Sequence, residues 1–309
     1  MTTAYYSHDD CLAHVTPPGH PEQMARLKAI GAALSEVQGL DRRDAPLGTA
    51  EHVLRCHTER YLEMIRTAAP EEGWVSLDAD THMSPGTLTA AWRAVGGCIA
   101  AVDAVMAGEV ANAFVGCRPP GHHAETERAM GFCLFGNVAI AARHALEAHG
   151  LERVAIVDFD VHHGNGTQDL LWEEERTLFV SSHEMPLFPG TGRADERGAF
   201  DNVINIPLAP GTGGAEMRAL YEREVIPALD DFAPELVLIS AGFDAHAADP
   251  LATLRWTEAD FVWVTEAVLD VAEAHAGGRV VSTLEGGYDL NALGASVAAH
   301  VGVLMERGG

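Results

Sequence analysis

Val154-Ala-Ile-Val-Asp158-Phe-Asp160-Val-His162-His163-Gly-Asn165-Gly166 runs from an apolar stretch straight into side chains that bind metals or move protons. Buried strands do not normally finish that way. Asp158, Asp160 and His162 lie two apart, so a backbone that stays extended projects all three from one face at the strand's C-terminal end. Open parallel sheets build their ligand sites at that end.

Working outward, other short apolar runs read as strands: Ala113 to Val115, Leu178 to Val180, Val203 to Ile206, Leu236 to Ile239 and Val280 to Leu284. Leu88 to Ala107, Val138 to Ala148, Glu216 to Leu229 and Asp260 to Ala274 carry apolar residues at helical spacing. This alternation predicts an α/β fold, a parallel sheet covered by helices on both sides. Gly/Pro-rich loops follow several strands: Arg118-Pro-Pro-Gly-His-His123, Phe188-Pro-Gly-Thr-Gly192, Gly242-Phe-Asp244 and Glu285-Gly-Gly-Tyr288. Loops leaving strand C-termini converge on one edge of such a sheet, so these segments are expected to meet.

With 309 residues, 47% of them apolar, the chain can bury a large core, and one domain over residues 1–309 is expected. A formal charge of −25 argues against direct nucleic-acid binding, which needs clustered Lys and Arg, and favours cationic substrates. The five cysteines are scattered without C-x-x-C spacing, so free thiols are expected rather than a disulfide framework or zinc knuckle. The start, Met1-Thr-Thr-Ala-Tyr-Tyr-Ser-His, lacks a basic region followed by an apolar one, and no uninterrupted apolar run approaches the roughly 20 residues that span a bilayer. A soluble cytoplasmic protein that does not enter membranes is the expectation.

Asp160, His162 and Asp244 each follow an apolar run, and one imidazole with two carboxylates suits a catalytic zinc or iron, or Mg²⁺ or Mn²⁺, with open coordination positions. Singly, these residues have structural explanations: helix caps for Asp158 and Asp160, a satisfied loop residue for His162. Together they point to a metal centre. In the His122-His123 pair, one ring can hold a proton while the other accepts one. Asp158 is a natural partner for one ring and Asn165 for the other. A carboxylate favours imidazolium and an amide orients without adding charge, so the two histidines should differ in basicity. Tyr288 follows two glycines at the end of an apolar run, where its hydroxyl could donate to a developing oxyanion. Phe132 and Phe188 sit in Gly- and Pro-flanked loops, as binding walls do.

These motifs, with Gly131-Phe-Cys-Leu-Phe-Gly-Asn137, Ser240-Ala-Gly-Phe-Asp244 and Asp249-Pro-Leu251, resemble the zinc-dependent histone deacetylase family in order and over nearly the whole chain. The likeness is to its class II branch and bacterial amidohydrolase relatives, because Asn165 stands where class I enzymes carry Asp and His20-Pro-Glu22 with Arg26 resembles the class II entrance loop. It implies an arginase/deacetylase fold with a mainly parallel eight-stranded sheet. It also implies one Zn²⁺ on Asp160, His162 and Asp244, with His122 paired to Asp158 and His123 to Asn165. His123 would be the general base and acid, His122 an electrostatic aid, and Tyr288 the residue that polarises the acyl carbonyl. Gly131, Phe132 and Phe188 would line a narrow channel, and Arg26 would lie near an acetate-release cavity. Family members also bind K⁺. That ion would fall here on Asp158, Asp160, His162, Ser181 and Ser182, with a second position at Leu171, Glu174 and Thr177.

Substrate follows from the same resemblance. Polyamine-specific relatives carry an acidic gatekeeper where this chain has Leu251, and an apolar residue cannot pair with a remote ammonium. An acyl-lysine peptide or another small acylated amine is therefore expected, with acetylpolyamine amidohydrolase as the alternative. A binuclear ureohydrolase is disfavoured, since Asp160-Val-His162-His163-Gly164 lacks the second Asp of an Asp-x-His-x-Asp run. A non-catalytic binding module would have no use for His122, His123 and Tyr288.

Overall fold

Strands and helices alternate along residues 2–309, which the computed structural model describes. The strands are β1 (Thr3–Ser7), β2 (Asp41–Asp44), β3 (Val75–Ser76), β4 (His82–Met83), β5 (Asn112–Val115), β6 (Val154–Asp158), β7 (Thr177–Glu184), β8 (Val203–Leu208), β9 (Leu236–Ala241) and β10 (Val280–Leu284). The helices are α1 (Ala25–Leu34), α2 (Ala50–Val53), α3 (Glu59–Ala68), α4 (Thr87–Met106), α5 (Asn137–Ala148), α6 (Asn165–Leu171), α7 (Gly214–Leu220), α8 (Ile226–Phe232), α9 (Glu258–His275) and α10 (Leu290–Gly308). Eight strands form one sheet in the order β2-β1-β5-β10-β9-β6-β7-β8, with every pairing parallel. β3 and β4 form a separate antiparallel hairpin.

β6 lies inside this sheet, and all five of its residues are buried. Helices cover both of its faces, which is why Val154-Ala-Ile-Val carries no polar alternation. Its neighbours fix the register: Asp158 stands opposite Ser240 of β9 on one side and Ser181 of β7 on the other.

The six strands expected from sequence are present, longer by a residue or more in all but β10. β1 and β2 were not foreseen. β2 is Asp-Arg-Arg-Asp, an edge strand whose pairing comes from its backbone, so nothing in its side chains advertises it. The single helix expected over Glu216 to Leu229 is α7, a π-helical turn at Tyr221–Val225, and α8. Pro227 supplies a local reason: it has no N–H to bond the carbonyl four residues back, so the ladder widens there. α4 is long and apolar enough by length and composition to cross a membrane, but 67% of its most apolar window is buried, and it packs against α5 and β5.

One buried group links this core to pH. His300 of α10 is fully buried between Thr265 Oγ1 (2.7 Å) and Ser282 Oγ (2.8 Å), ringed by Phe114, Phe159 and Phe243. Burial pushes its pKa down to about 3 from an ordinary 6.5. A lowered histidine pKa gives stability that is present above the ordinary value and is lost as pH falls from there towards the folded value. By pH 5 the loss is about 2 kcal/mol. Between pH 7.5 and pH 5, the unfolding free energy in urea should therefore fall about 2 kcal/mol further in the wild type than in His300→Gln. Equal falls would contradict this.

Candidate active site

β5, β10, β9 and β6 are consecutive in the sheet, so the loops that leave their C-terminal ends meet. These loops carry His122-His123, Glu285 to Tyr288, Asp244, and Asp160 with His162 respectively. The expected convergence is what the topology produces.

Asp160, His162 and Asp244 are buried, and one ligand atom from each lies within 4.8 Å of the others. His162 Nδ1 is 3.0 Å from Asp160 Oδ1 and 3.2 Å from Asp244 Oδ2. Asp244 Oδ1 accepts the Val161 N–H, but Oδ2 is buried with no hydrogen-bond partner among the described residues. Burial opposes positive charge on His162, yet the two carboxylates outweigh it and push that pKa up to about 10. Burial and Asp160 in turn raise the pKa of Asp244. Orphaned acceptor, crowded carboxylates and a field that favours positive charge all fit a divalent cation held by these three side chains. The backbone approaches closely here. A Cβ on Gly286 would sit 2.0 Å from Asp244 Oδ2 and 2.6 Å from Asp160 Oδ2, so this glycine makes room for the carboxylates rather than for the phenol.

Beside this set stand the two histidines, their ring centroids 4.0 Å apart. His122 Nδ1 is 2.9 Å from Asp158 Oδ2, and His123 Nδ1 is 2.7 Å from Asn165 Oδ1. Asn165 Nδ2 donates to Glu125 Oε1 at 2.7 Å, which fixes the amide with its oxygen towards His123. His123 Nδ1 must then be the protonated nitrogen, leaving Nε2 with its lone pair free. The pair differs in basicity. Burial lowers His122, but Asp160 and Asp158 override it and hold the ring well above the ordinary value. Burial, the charge on His122 and that on His162 hold His123 well below.

Tyr288 is buried, and its backbone N–H donates to Asp249 Oδ2 at 2.7 Å. The Arg26 guanidinium lies 5.0 Å from its ring centroid. Burial and Asp244 raise the phenol pKa well above its ordinary value, so the hydroxyl keeps its proton and remains a donor. Arg26 belongs to a buried network that sequence reasoning missed. It donates to the carbonyls of Gly287 (2.7 Å) and Glu285 (2.5 Å) and to Glu22 Oε1 (3.2 Å). Glu22 is also clasped by Arg118 and lies 3.2 Å from His14 Nε2. Burial opposes charge on Glu22, but Arg118 and His14 keep its carboxyl well below the usual range. Glu285 was missed too: its Oε2 accepts the N–H groups of Gly121 (2.7 Å) and His122 (3.1 Å), which sets the tandem histidines at their depth.

A cavity of about 360 Å³ leads to these groups, lined by Gly131, Phe132, Phe188, Leu187, Leu251, His20, Asp80 and His82 above His123, His162 and Tyr288. Phe188 stands edge-on to His123 at 5.1 Å and Phe132 edge-on to Tyr288 at 5.9 Å. Phe132 adopts a φ of 69°, held by its N–H to Thr81 Oγ1 at 3.0 Å and by His20 against its ring at 4.7 Å. Leu251 is at the lip, about a third exposed, its N–H on Asp249 Oδ1 at 3.0 Å. One carboxylate, Asp249, thus holds both the lip and the Tyr288 backbone.

The other candidates lie elsewhere. Beneath the site, Ser181 Oγ meets His183 Nδ1 at 3.0 Å and Ser182 Oγ meets the Tyr221 hydroxyl at 2.8 Å. The Glu174 carboxylate pairs with Arg143 and Arg176, and the carbonyls of Leu171 and Glu174 accept from Asn202. His163 turns away from the cavity onto Thr191 and Gln168.

Comparison with known proteins identifies a family. The histone deacetylase domain family matches residues 20–304. A histone deacetylase-like amidohydrolase of Pseudomonas aeruginosa is 41% identical, covering 93% of this chain and 81% of that protein. A probable deacetylase of Archaeoglobus fulgidus is 36% identical over 100% of this chain and 87% of its own length. Among solved structures, the crystal structure of the HDA15 HD domain is similar, with a TM-score of 0.94 and 34% identity over 99% of this chain and 90% of that one.

Proposed function

The chain belongs to the histone deacetylase family, and on that premise we propose that it is a zinc-dependent amidohydrolase that removes acetyl groups from acyl-lysine side chains or a similar acylated amine. The observation that carries this reading is the His123–Asn165 pair, its Nε2 lone pair free, beside the Asp160, His162 and Asp244 set at the end of an apolar-walled cavity.

A bound Zn²⁺ would be held by Asp160, His162 and Asp244, and it supplies Lewis acidity, which makes water more acidic and polarises an amide carbonyl. The remaining chemistry belongs to the side chains. His123 Nε2 takes the proton of the attacking water and later delivers it to the leaving amine, because Asn165 fixes the tautomer without making the ring an imidazolium. His122, kept charged by Asp158 and Asp160, stabilises the negative charge that develops nearby. Tyr288 donates its hydroxyl hydrogen to the carbonyl oxygen. Phe132 and Phe188 hold a slim aliphatic stem and exclude water from it, with Gly131 leaving the wall thin. Asp158, Ser181 and Ser182 would hold a K⁺.

Leu251 at the lip favours acyl-lysine peptides over acetylpolyamines, because its apolar side chain offers no charge to their second ammonium. In Leu251→Glu, turnover of acetylputrescine relative to an acetyl-lysine peptide should rise about tenfold or more, since a charged hydrogen bond contributes about 1.5–3 kcal/mol. An unchanged ratio would take the gatekeeper role from Leu251, and a wild type that prefers acetylputrescine would establish the polyamine reading instead.

A further inference from the structure

A second group of side chains converges far from the cavity. Asp103 lies in the last turn of α4, His144 near the end of α5, and His149 at its C-cap. Asp103 Oδ1 is 2.7 Å from Nε2 of His144 and 2.7 Å from Nε2 of His149, and the three ligand atoms lie within 4.8 Å of one another. The two rings stand nearly perpendicular, centroids 5.5 Å apart, so their nitrogens approach one point from different directions. α4 and α5 each lead directly into a parallel strand, β5 and β6, so their C-terminal ends sit at the sheet edge opposite the candidate active site.

Three physical features make that point suited to a cation. Two helix C-termini meet there, each with partial negative charge from its unsatisfied carbonyls, and Asp103 adds a full charge. His144 is buried, and among the described residues its Nδ1 has no hydrogen-bond partner, so Nδ1 can carry the ring proton when Nε2 gives up its hydrogen bond to Asp103 and turns its lone pair to an ion. The Asp103 and His149 side chains are 51% and 25% exposed, which gives an ion a path in and water a place in its remaining coordination positions. Two imidazoles and one carboxylate select a borderline metal over the oxygen-seeking Ca²⁺ and Mg²⁺.

We propose that Asp103, His144 and His149 form a second Zn²⁺ site, which ties the end of α4 to the end of α5. His52, its ring centroid 5.7 Å from that of His144, borders the site but is engaged at Nδ1 by the Thr49 N–H and is not one of the ligands. The proposal is independent of the catalytic reading, because no residue is shared.

Protein holding one zinc per chain, titrated calorimetrically with Zn²⁺ in excess Mg²⁺, should take up one further equivalent and unfold at a higher temperature as zinc is added. In His149→Ala and in Asp103→Ala, both at partly exposed positions, that binding should weaken about tenfold or more and the thermal shift should vanish. Their unfolding temperatures without added zinc report whether the fold is kept. A wild type that takes up no further zinc would overturn the proposal and leave a hydrogen-bonded His-Asp-His cluster. Uptake of unchanged affinity in both variants would overturn it equally, by placing the extra ion elsewhere.

Discussion

His123→Ala is expected to lower kcat on an acetyl-lysine peptide by about 10²- to 10⁴-fold, the range a positioned proton-transfer group contributes. Its KM should stay close to that of the wild type, because Phe132, Phe188 and Leu251 still form the cavity. The loss is this large because no neighbour can take over. His122 is held as imidazolium by Asp158 and Asp160 and has no lone pair to offer, while His162 is directed at the two carboxylates. Asn165 makes the assignment specific, since its amide oxygen faces His123 only because its nitrogen is committed to Glu125. Steady-state kinetics on the zinc-loaded variant decide the matter, and a kcat within a few-fold of wild type would move the base elsewhere.

Tyr288→Phe should cost about 10²- to 10³-fold in kcat, as loss of one oxyanion donor does. The change removes a hydroxyl and little else. The Asp249 clamp acts on the backbone N–H, Arg26 stacks on a ring that phenylalanine retains, and the edge contact with Phe132 survives. Affinity for substrate and thermal stability should therefore be nearly unchanged, and the defect should lie in the chemical step. Because burial and Asp244 hold the phenol well above its ordinary pKa, the wild-type rate should show no alkaline fall from Tyr288 ionisation below about pH 10. A Tyr288→Phe enzyme with wild-type kcat would remove this residue from the mechanism.

Both side chains were legible in the sequence for one reason: chemistry-bearing residues stood in the loops that follow apolar runs, where a parallel sheet gathers them. The same rule covered Asp160, His162 and Asp244, and it could have picked out Glu285, the residue after β10, which braces the tandem histidines. It could not reach Glu22 and Arg26, and although Arg118 stands in the loop after β5, it gave no partner for that side chain. Their network joins positions 96 residues apart in one pair, and its contacts to the Glu285 and Gly287 carbonyls are set by packing rather than by any local pattern. The fold divided similarly. Interior strands such as β6, apolar on both faces, declared themselves, whereas β2, all charged side chains at the sheet edge, did not. α10 escaped notice because small residues such as Gly294, Ala295 and Ala298 blur its apolar face, although it packs closely on α1 and α9.

Turnover of an acetyl-lysine peptide during removal and return of zinc decides whether the centre works as a metal-dependent amidohydrolase. Protein with one catalytic zinc should cleave the peptide, stripping it with a chelator should abolish cleavage, and one equivalent of Zn²⁺ should restore it. Cleavage that persists in fully stripped protein, or zinc-loaded protein that leaves acylated amines intact, would contradict this.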